Sequence, residues 1–233
     1  MSVHIEVVAD PARACAAMLV GAAAGAGDIV LAGGSTPRAA YAEFVTAALA
    51  VELDLAETTV WLGDERCVPP EDERSNYGMI KEAMLDPLGD AAPGDVRRIR
   101  GELGHEQAAD EYERELREAG PPEFDLLLLG MGPDGHTASL FPDQPTLSER
   151  TRLVVGVPHA GLEPFVPRVS LTLPALASAR QVVFLVSGAS KAAAVAAAFG
   201  PGAKPDPHVP SSMLAPLAKE IVVLLDPPAA GRL

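Results

Sequence analysis

The run Gly130-Met131-Gly132-Pro133-Asp134-Gly135-His136-Thr137-Ala138-Ser139-Leu140-Phe141-Pro142 holds the residue types closest to a catalytic set in this 233-residue chain. His136 can take and return a proton near neutral pH, and Asp134 can orient its ring or hold a water. The run follows the apolar stretch Phe124–Leu129. A helix opening there would push the imidazole toward the neutral form that a general base needs. Gly130-x-Gly132-x-x-Gly135 also fits the dinucleotide fingerprint, which demands a carboxylate at the end of the next strand, about 20 residues on. That strand ends Val155-Gly156-Val157-Pro158-His159 without one, and Asp134 would face the pyrophosphate, so the dinucleotide reading fails. A histidine capping an Asp-Gly turn is the plainer alternative. His4, His105, His159 and His208 stand in no comparable setting and are expected in packing or at the surface.

Three further strand ends carry polar groups. In Leu31-Ala32-Gly33-Gly34-Ser35-Thr36-Pro37, two glycines permit close backbone approach and two hydroxyls precede a proline that starts a helix. The N–H groups of such a helix attract an anion, although an ordinary capped turn would read the same way. No Gly-Lys-Ser/Thr follows, so it is not a Walker loop. Trp61-Leu62-Gly63-Asp64-Glu65-Arg66 ends in a charge cluster that is costly to bury unless its members pair or meet a ligand, the alternative being a solvated ion-pair loop. Ser75-Asn76-Tyr77 follows nine residues after Arg66. Arg168 opens the run Arg168-Val169-Ser170-Leu171-Thr172-Leu173. Lys191, in Ser187-Gly188-Ala189-Ser190-Lys191, begins a helix, where the dipole disfavours a cation unless something negative is near.

Some chemistries are excluded. No Gly-x-Ser-x-Gly elbow is present, and no His/Cys/carboxylate spacing makes a metal site. Cys15 and Cys67 form no CxxC pair and are expected as reduced thiols of a cytoplasmic protein. Lys+Arg at 18 against Asp+Glu at 32 leaves a net charge of −14, which argues against a nucleic-acid binder and a polybasic membrane surface. An anionic ligand must then be met by a small local set of cations. The set above suits a small phosphorylated substrate and proton-transfer or hydrolytic chemistry.

The elements that must position these residues alternate along the chain. Strands are expected at Val3–Ala9, Asp28–Leu31, Thr58–Leu62, Phe124–Leu129, Arg152–Val157, Arg168–Leu173, Gln181–Val186 and Glu220–Leu225. Helices are expected from Asp10-Pro11 to Ala24, from Pro37 to Ala50, after the cap Ser75, over Glu106–Ala119 and over Ser190–Phe199, with a long loop at Gly63–Arg74. This order implies βαβ units, a mostly parallel sheet with helices on both faces, and a ligand at the carboxyl ends of the strands. The apolar runs fit one domain over 1–233, since no repeat or long linker divides them. No basic segment precedes an apolar run at Met1-Ser2-Val3-His4-Ile5, so no signal peptide is expected. Ala14 to Gly27 is too short to span a membrane, which takes about 20 apolar residues.

Taken in order, Gly33-Gly34-Ser35-Thr36-Pro37, Gly63-Asp64-Glu65-Arg66 with Val68-Pro69 and Ser75-Asn76, the Gly130–Pro142 run, Arg168 and Lys191 resemble the 6-phosphogluconolactonases. The blocks span nearly the whole chain. The glucosamine-6-phosphate deaminases look similar at the first and third blocks. They carry Asp-Glu-Tyr where Asp64-Glu65-Arg66 stands, and a glutamate, partner of their catalytic histidine, where Phe141 stands. The resemblance implies a three-layer α/β/α sandwich of the kind shared with ribose-5-phosphate isomerases and glucosamine-6-phosphate deaminases, and no cofactor. It implies hydrolysis of 6-phospho-D-glucono-1,5-lactone to 6-phospho-D-gluconate in the oxidative pentose phosphate route. His136, Asp134 and Arg66 are then the catalytic residues, and Gly33, Gly34, Ser35, Thr36, Asp64, Arg168 and Lys191 hold the substrate and its phosphate. Neither metal nor partner protein is called for, and a monomer or weak dimer is expected. Two rivals remain: the deaminase, and a non-catalytic sugar-phosphate sensor. The sensor would want an appended DNA-binding helix pair and a basic patch, where this chain opens on a strand.

Overall fold

The computed structural model describes residues 2–25, 27–120 and 122–233, so the expectations at Met1 and at Ala26 of the uncharged run lie outside it. Seven parallel strands form one sheet: β1 (Ser2–Val7), β2 (Asp28–Leu31), β3 (Thr59–Leu62), β5 (Asp95–Arg97), β6 (Leu126–Leu129), β9 (Gln181–Val186) and β10 (Glu220–Leu225). Their spatial order is β1-β10-β9-β6-β2-β3-β5. β6, Leu-Leu-Leu-Leu, is buried throughout, as a strand covered on both faces must be. The helices are α1 (Pro11–Ala23), α2 (Ser35–Ala50), α3 (Asn76–Ile80), α4 (Asp86–Leu88), α5 (His105–Ala119), α6 (Leu173–Ala177) and α7 (Ala192–Phe199). A π turn, Lys81–Leu85, joins α3 to α4.

Chain direction sorts the helices into layers. From β1 through β2 to β3 the sheet grows one way, and from β5 through β6 and β9 to β10 it grows the other. Right-handed crossovers running in opposite senses set their helices on opposite faces: α1 and α2 on one, α5 and α7 on the other. The change of direction falls between β2 and β6, the point where an open α/β sheet parts its loops into a ligand crevice.

The structure corrects three expectations. Gly63–Arg74 is not all loop: Asp64–Arg66 is a strand, β4. The runs read as Arg152–Val157 and Arg168–Leu173 shorten to β7 (Val154–Val157) and β8 (Arg168–Leu171). These three make a second sheet, antiparallel, in the order β4-β8-β7. A short run rich in Val and Leu looks the same in either sheet, because burial alone sets its pattern. The third correction concerns Gly130–Pro142, which opens no helix. It folds as consecutive turns closed by a bridge between Thr137 and Leu140.

Two buried tyrosines hold the chain where it leaves the main sheet. Tyr41 Oη accepts from the Ala32 N–H (3.0 Å) and donates to the Ala32 carbonyl (2.6 Å), just past β2. Tyr112 does the same for Leu62 at the end of β3, at 2.8 and 3.0 Å. Each hydroxyl satisfies a donor and an acceptor that no neighbouring strand reaches. Tyr112→Phe should therefore destabilise the fold by about 1–3 kcal/mol, because it strands a buried N–H. A lower urea midpoint at unchanged slope would report it.

Candidate active site

The carboxyl ends of β3, β2, β6 and β9 surround a cavity of about 310 Å³. Gly33, Gly34, Ser35, Thr36, Asp64, Arg66, His136, Arg168 and Lys191 all line it. Asp134 does not; it lies behind His136.

After β2 the chain turns at Gly34 (φ +109°) into α2, whose first N–H groups lack an internal partner and whose cap carries no side-chain bond. Gly33 is needed for space. A Cβ there would fall 1.8 Å from Asn76 Oδ1. Asn76 Nδ2 donates to the Asp64 carbonyl (2.9 Å) and to Asp64 Oδ1 (3.1 Å), and Ser139 Oγ donates to Asp64 Oδ2 (2.6 Å). Both oxygens of Asp64 are thus aimed by neutral donors.

Glu65 faces away from the cavity and is 2% exposed. It accepts from the N–H groups of Arg66, Asn76 and Tyr77, each at 2.7 Å, and from Ser75 Oγ at 3.0 Å. Burial pushes its carboxyl above the usual range, while these backbone donors pull the other way. Its task is to fasten the start of α3 to β4. Ser75 Oγ caps the same helix at Gly78 N–H (3.0 Å), as the sequence indicated.

Arg66 and Arg168 stand opposite each other in the β4–β8 pair. Like charges facing across a ladder repel, so the pair leaves an excess of positive charge at this point of the cavity. Arg168 donates from one amino group to the Leu162 and Pro164 carbonyls (3.3 and 2.9 Å), anchoring the loop beyond β7. Burial lowers its pKa, opposed by the charge of Asp64. Its guanidinium lies 5.8 Å over the Phe141 ring.

His136 also lies against that ring, 4.8 Å from Phe141 between centroids. His136 Nδ1 lies 2.6 Å from Asp134 Oδ1. Burial raises the Asp134 pKa, but the hydrogen bond and charge of His136 outweigh it and leave the group below its usual value. An ionised carboxylate only accepts, so Nδ1 carries a proton and, in the neutral ring, Nε2 holds the lone pair. The dipole argument from sequence is thereby replaced: with no helix behind it, the ring's tautomer is set by Asp134 alone. Gly132 makes the pair possible, since a Cβ there would fall 2.1 Å from His136 Nδ1.

Lys191 ends a 3₁₀ turn, Ala189–Lys191, ahead of α7. Burial lowers its pKa, partly opposed by the nearby charge of Asp134. Asp226, just past β10, holds this turn by accepting the Gly188 N–H on both oxygens (3.0 and 2.9 Å). Asp226 was not legible in the sequence, because it works from an element far from Lys191. Glu163, Leu162, Phe141 and Ser187 also line the cavity without having been read as site residues. The loop bearing Leu162 and Glu163 has no periodicity to mark it.

Among the described residues no group of His, Cys, Asp and Glu could hold a metal ion, and no helix is long and apolar enough to cross a membrane. The arrangement defines a class: an α/β protein with a crevice at the switch point of its sheet, lined by three cations and by a histidine that an aspartate holds from behind. The family model of "glucosamine-6-phosphate isomerases/6-phosphogluconolactonase" matches residues 4–223, and the chain belongs to that family. It is 39% identical over 216 residues to the 6-phosphogluconolactonase of Synechocystis sp., covering 90% of this chain and 85% of that one. It is 38% identical over 207 residues to that of Bos taurus, covering 86% and 78%. The solved 6-phosphogluconolactonase of Trypanosoma brucei superposes with a TM-score of 0.81 at 30% identity, over 100% of this chain and 99% of that one. A monomeric glucosamine-6-phosphate deaminase shares the fold, at a TM-score of 0.86 but 19% identity, over 100% of both chains.

Gly33→Ala should fold, yet push Asn76 off Asp64. A displacement of that size next to reacting groups lowers turnover by about 10²-fold. Steady-state rates together with an unchanged circular dichroism spectrum would check it.

Proposed function

We propose that the chain hydrolyses 6-phospho-D-glucono-1,5-lactone to 6-phospho-D-gluconate. The observation that carries this is the ring of His136, held through Nδ1 by Asp134 and backed by the apolar face of Phe141. A deaminase would have a glutamate at that position. Relatives at 38–39% identity bear the lactonase name, which supports the same reading.

The mechanism follows from the tautomer. Nε2 of His136 takes a proton from water as the oxygen attacks C1 of the lactone, and the carbonyl oxygen gains charge. Backbone N–H groups of the glycine-rich turns and the guanidinium of Arg66 stabilise that oxyanion. When the tetrahedral intermediate collapses, the C1–ring-oxygen bond breaks, and the imidazolium returns its proton to the departing oxygen. Asp134 stabilises the transient imidazolium and keeps Nδ1 protonated. Ser35 and Thr36 at the start of α2, with Lys191, hold the phosphate, and Arg168 adds charge while anchoring its loop. Asp64, with both oxygens oriented, accepts from substrate hydroxyls. No step needs a cofactor.

One apolar cluster runs through both sheets, which supports reading 1–233 as a single catalytic unit. Cys15 and Cys67 are both free, which suits a cytoplasmic enzyme.

His136→Ala should lower kcat by about 10²–10⁴-fold with KM little changed. Freshly generated lactone, corrected for its spontaneous hydrolysis, is the substrate for the assay. A mutant as fast as wild type would remove His136 from the mechanism, and ammonia released from glucosamine-6-phosphate would replace the lactonase with a deaminase. Lys191→Ala should chiefly raise KM. The step needs Nε2 of His136 unprotonated and the Asp134 carboxyl ionised, and the hydrogen bond and charge of His136 favour the latter by holding that carboxyl below its usual value.

A further inference from the structure

The two edges of the main sheet are unlike. β5, at one edge, has three residues, and its Arg97 and Asp95 pair at 2.6 Å, a short charged edge of the kind that discourages strand addition. β1, at the other, has six residues, all exposed. It carries no lysine and no proline. Val3, Ile5 and Val7 share one face at 41%, 38% and 51% exposure, and His4 and Glu6 share the other.

The hydrogen-bond phase of β1 is fixed by its inner neighbour. The Ser2 N–H donates to the Lys219 carbonyl and the Val8 N–H to the Leu225 carbonyl. Even-numbered residues therefore turn their N–H and C=O groups toward β10. Val3, Ile5 and Val7 turn theirs outward, which leaves three donors and three acceptors with no strand beside them among the described residues.

We propose that this edge pairs with β1 of a second copy of the chain, antiparallel about a twofold axis at Ile5, joining two seven-stranded sheets into one. The register follows from the chemistry. Ile5 faces Ile5 of the second copy, and Val3 faces its Val7. These are the hydrogen-bonded pairs, since only the odd residues offer outward groups. His4 then falls opposite Glu6 of the second copy in the non-hydrogen-bonded position, where side chains approach most closely and an imidazole N–H meets a carboxylate. A shift of one residue would oppose like to unlike and turn the free groups out of register. The surface is thus self-complementary, as a twofold interface requires. One strand edge buries less than the roughly 1,200 Å² at which specific stable interfaces begin. Each copy also carries −14. The dimer is therefore weak and concentration-dependent.

Sedimentation equilibrium from low micromolar to near-millimolar protein tests this, with Ile5→Pro and Ile5→Lys. The Ile5 N–H points away from β10, so proline there removes an outward donor and spares the inner ladder. Lysine covers the case in which proline impairs folding. The wild type should show a monomer–dimer equilibrium, and each variant should raise its dissociation constant about tenfold or more. Lactone hydrolysis should be unchanged, since β1 lines no part of the cavity. Amide exchange at Val3, Ile5 and Val7 should slow with rising protein concentration, while Ser2, His4 and Glu6 stay constant. A wild type that remains monomeric throughout, or a dimer that both variants leave intact, would overturn the proposal.

Discussion

A backbone that leaves the end of a buried parallel strand exposes N–H and C=O groups that no further strand can pair, and those groups must be met within a few residues. This chain answers with side chains sent from elsewhere. Tyr41 reaches Ala32, Tyr112 reaches Leu62, Glu65 gathers two N–H groups at the start of α3 and one in β4, and Asp226 takes Gly188. Each fastening lies at the carboxyl edge, beneath the cavity. The loops that carry Asp64 and Lys191 are thereby held with their backbones satisfied, and the positions of those two side chains are consequences of that accounting.

Electrostatics then follow from what the fastenings leave over. Glu65 and Asp226 spend their acceptor capacity on backbone. Asp64 is bound by an amide and a hydroxyl, and among the described residues no carboxylate pairs with Arg66 or Arg168. Two guanidinium groups and Lys191 are left around one cavity in a protein whose net charge is −14. A chain of that charge repels anions at long range, and this local excess of cations opposes that repulsion at the cavity.

Much of this was legible beforehand. The bounds of Asp28–Leu31, Gln181–Val186 and Glu220–Leu225 agree with the sequence to the residue, because continuous apolar runs between turn residues admit one reading. The four strand ends were found because polar residues after such runs stand out. The second sheet was not found: β4 is three residues, two of them buried although charged, and nothing in Asp64-Glu65-Arg66 announces a strand. Nor was the form of the His136 loop. Its glycines signalled a turn, but the sequence could not distinguish glycine used for a helix start from glycine used, as Gly132 is, to make room for a neighbouring side chain. Asn76 was visible only as part of a motif, since its partner Asp64 lies on another element. Side chains that act across elements leave no local pattern.

The reversal of strand order between β2 and β6 has a temporal side. These two strands touch, yet about two thirds of the chain separates Gly33, after β2, from Lys191, after β9, and His136 comes from the loop after β6 between them. No short contiguous portion of the polypeptide contains the site. Closing such distant loops is the slow part of folding, because chain entropy is surrendered before the contacts that compensate it exist. The catalytic geometry is accordingly among the last things the chain acquires and among the first that a partial opening removes. Turnover in this protein is a property of the fully assembled molecule, and a fragment or intermediate with most of its helices and strands in place would still be silent.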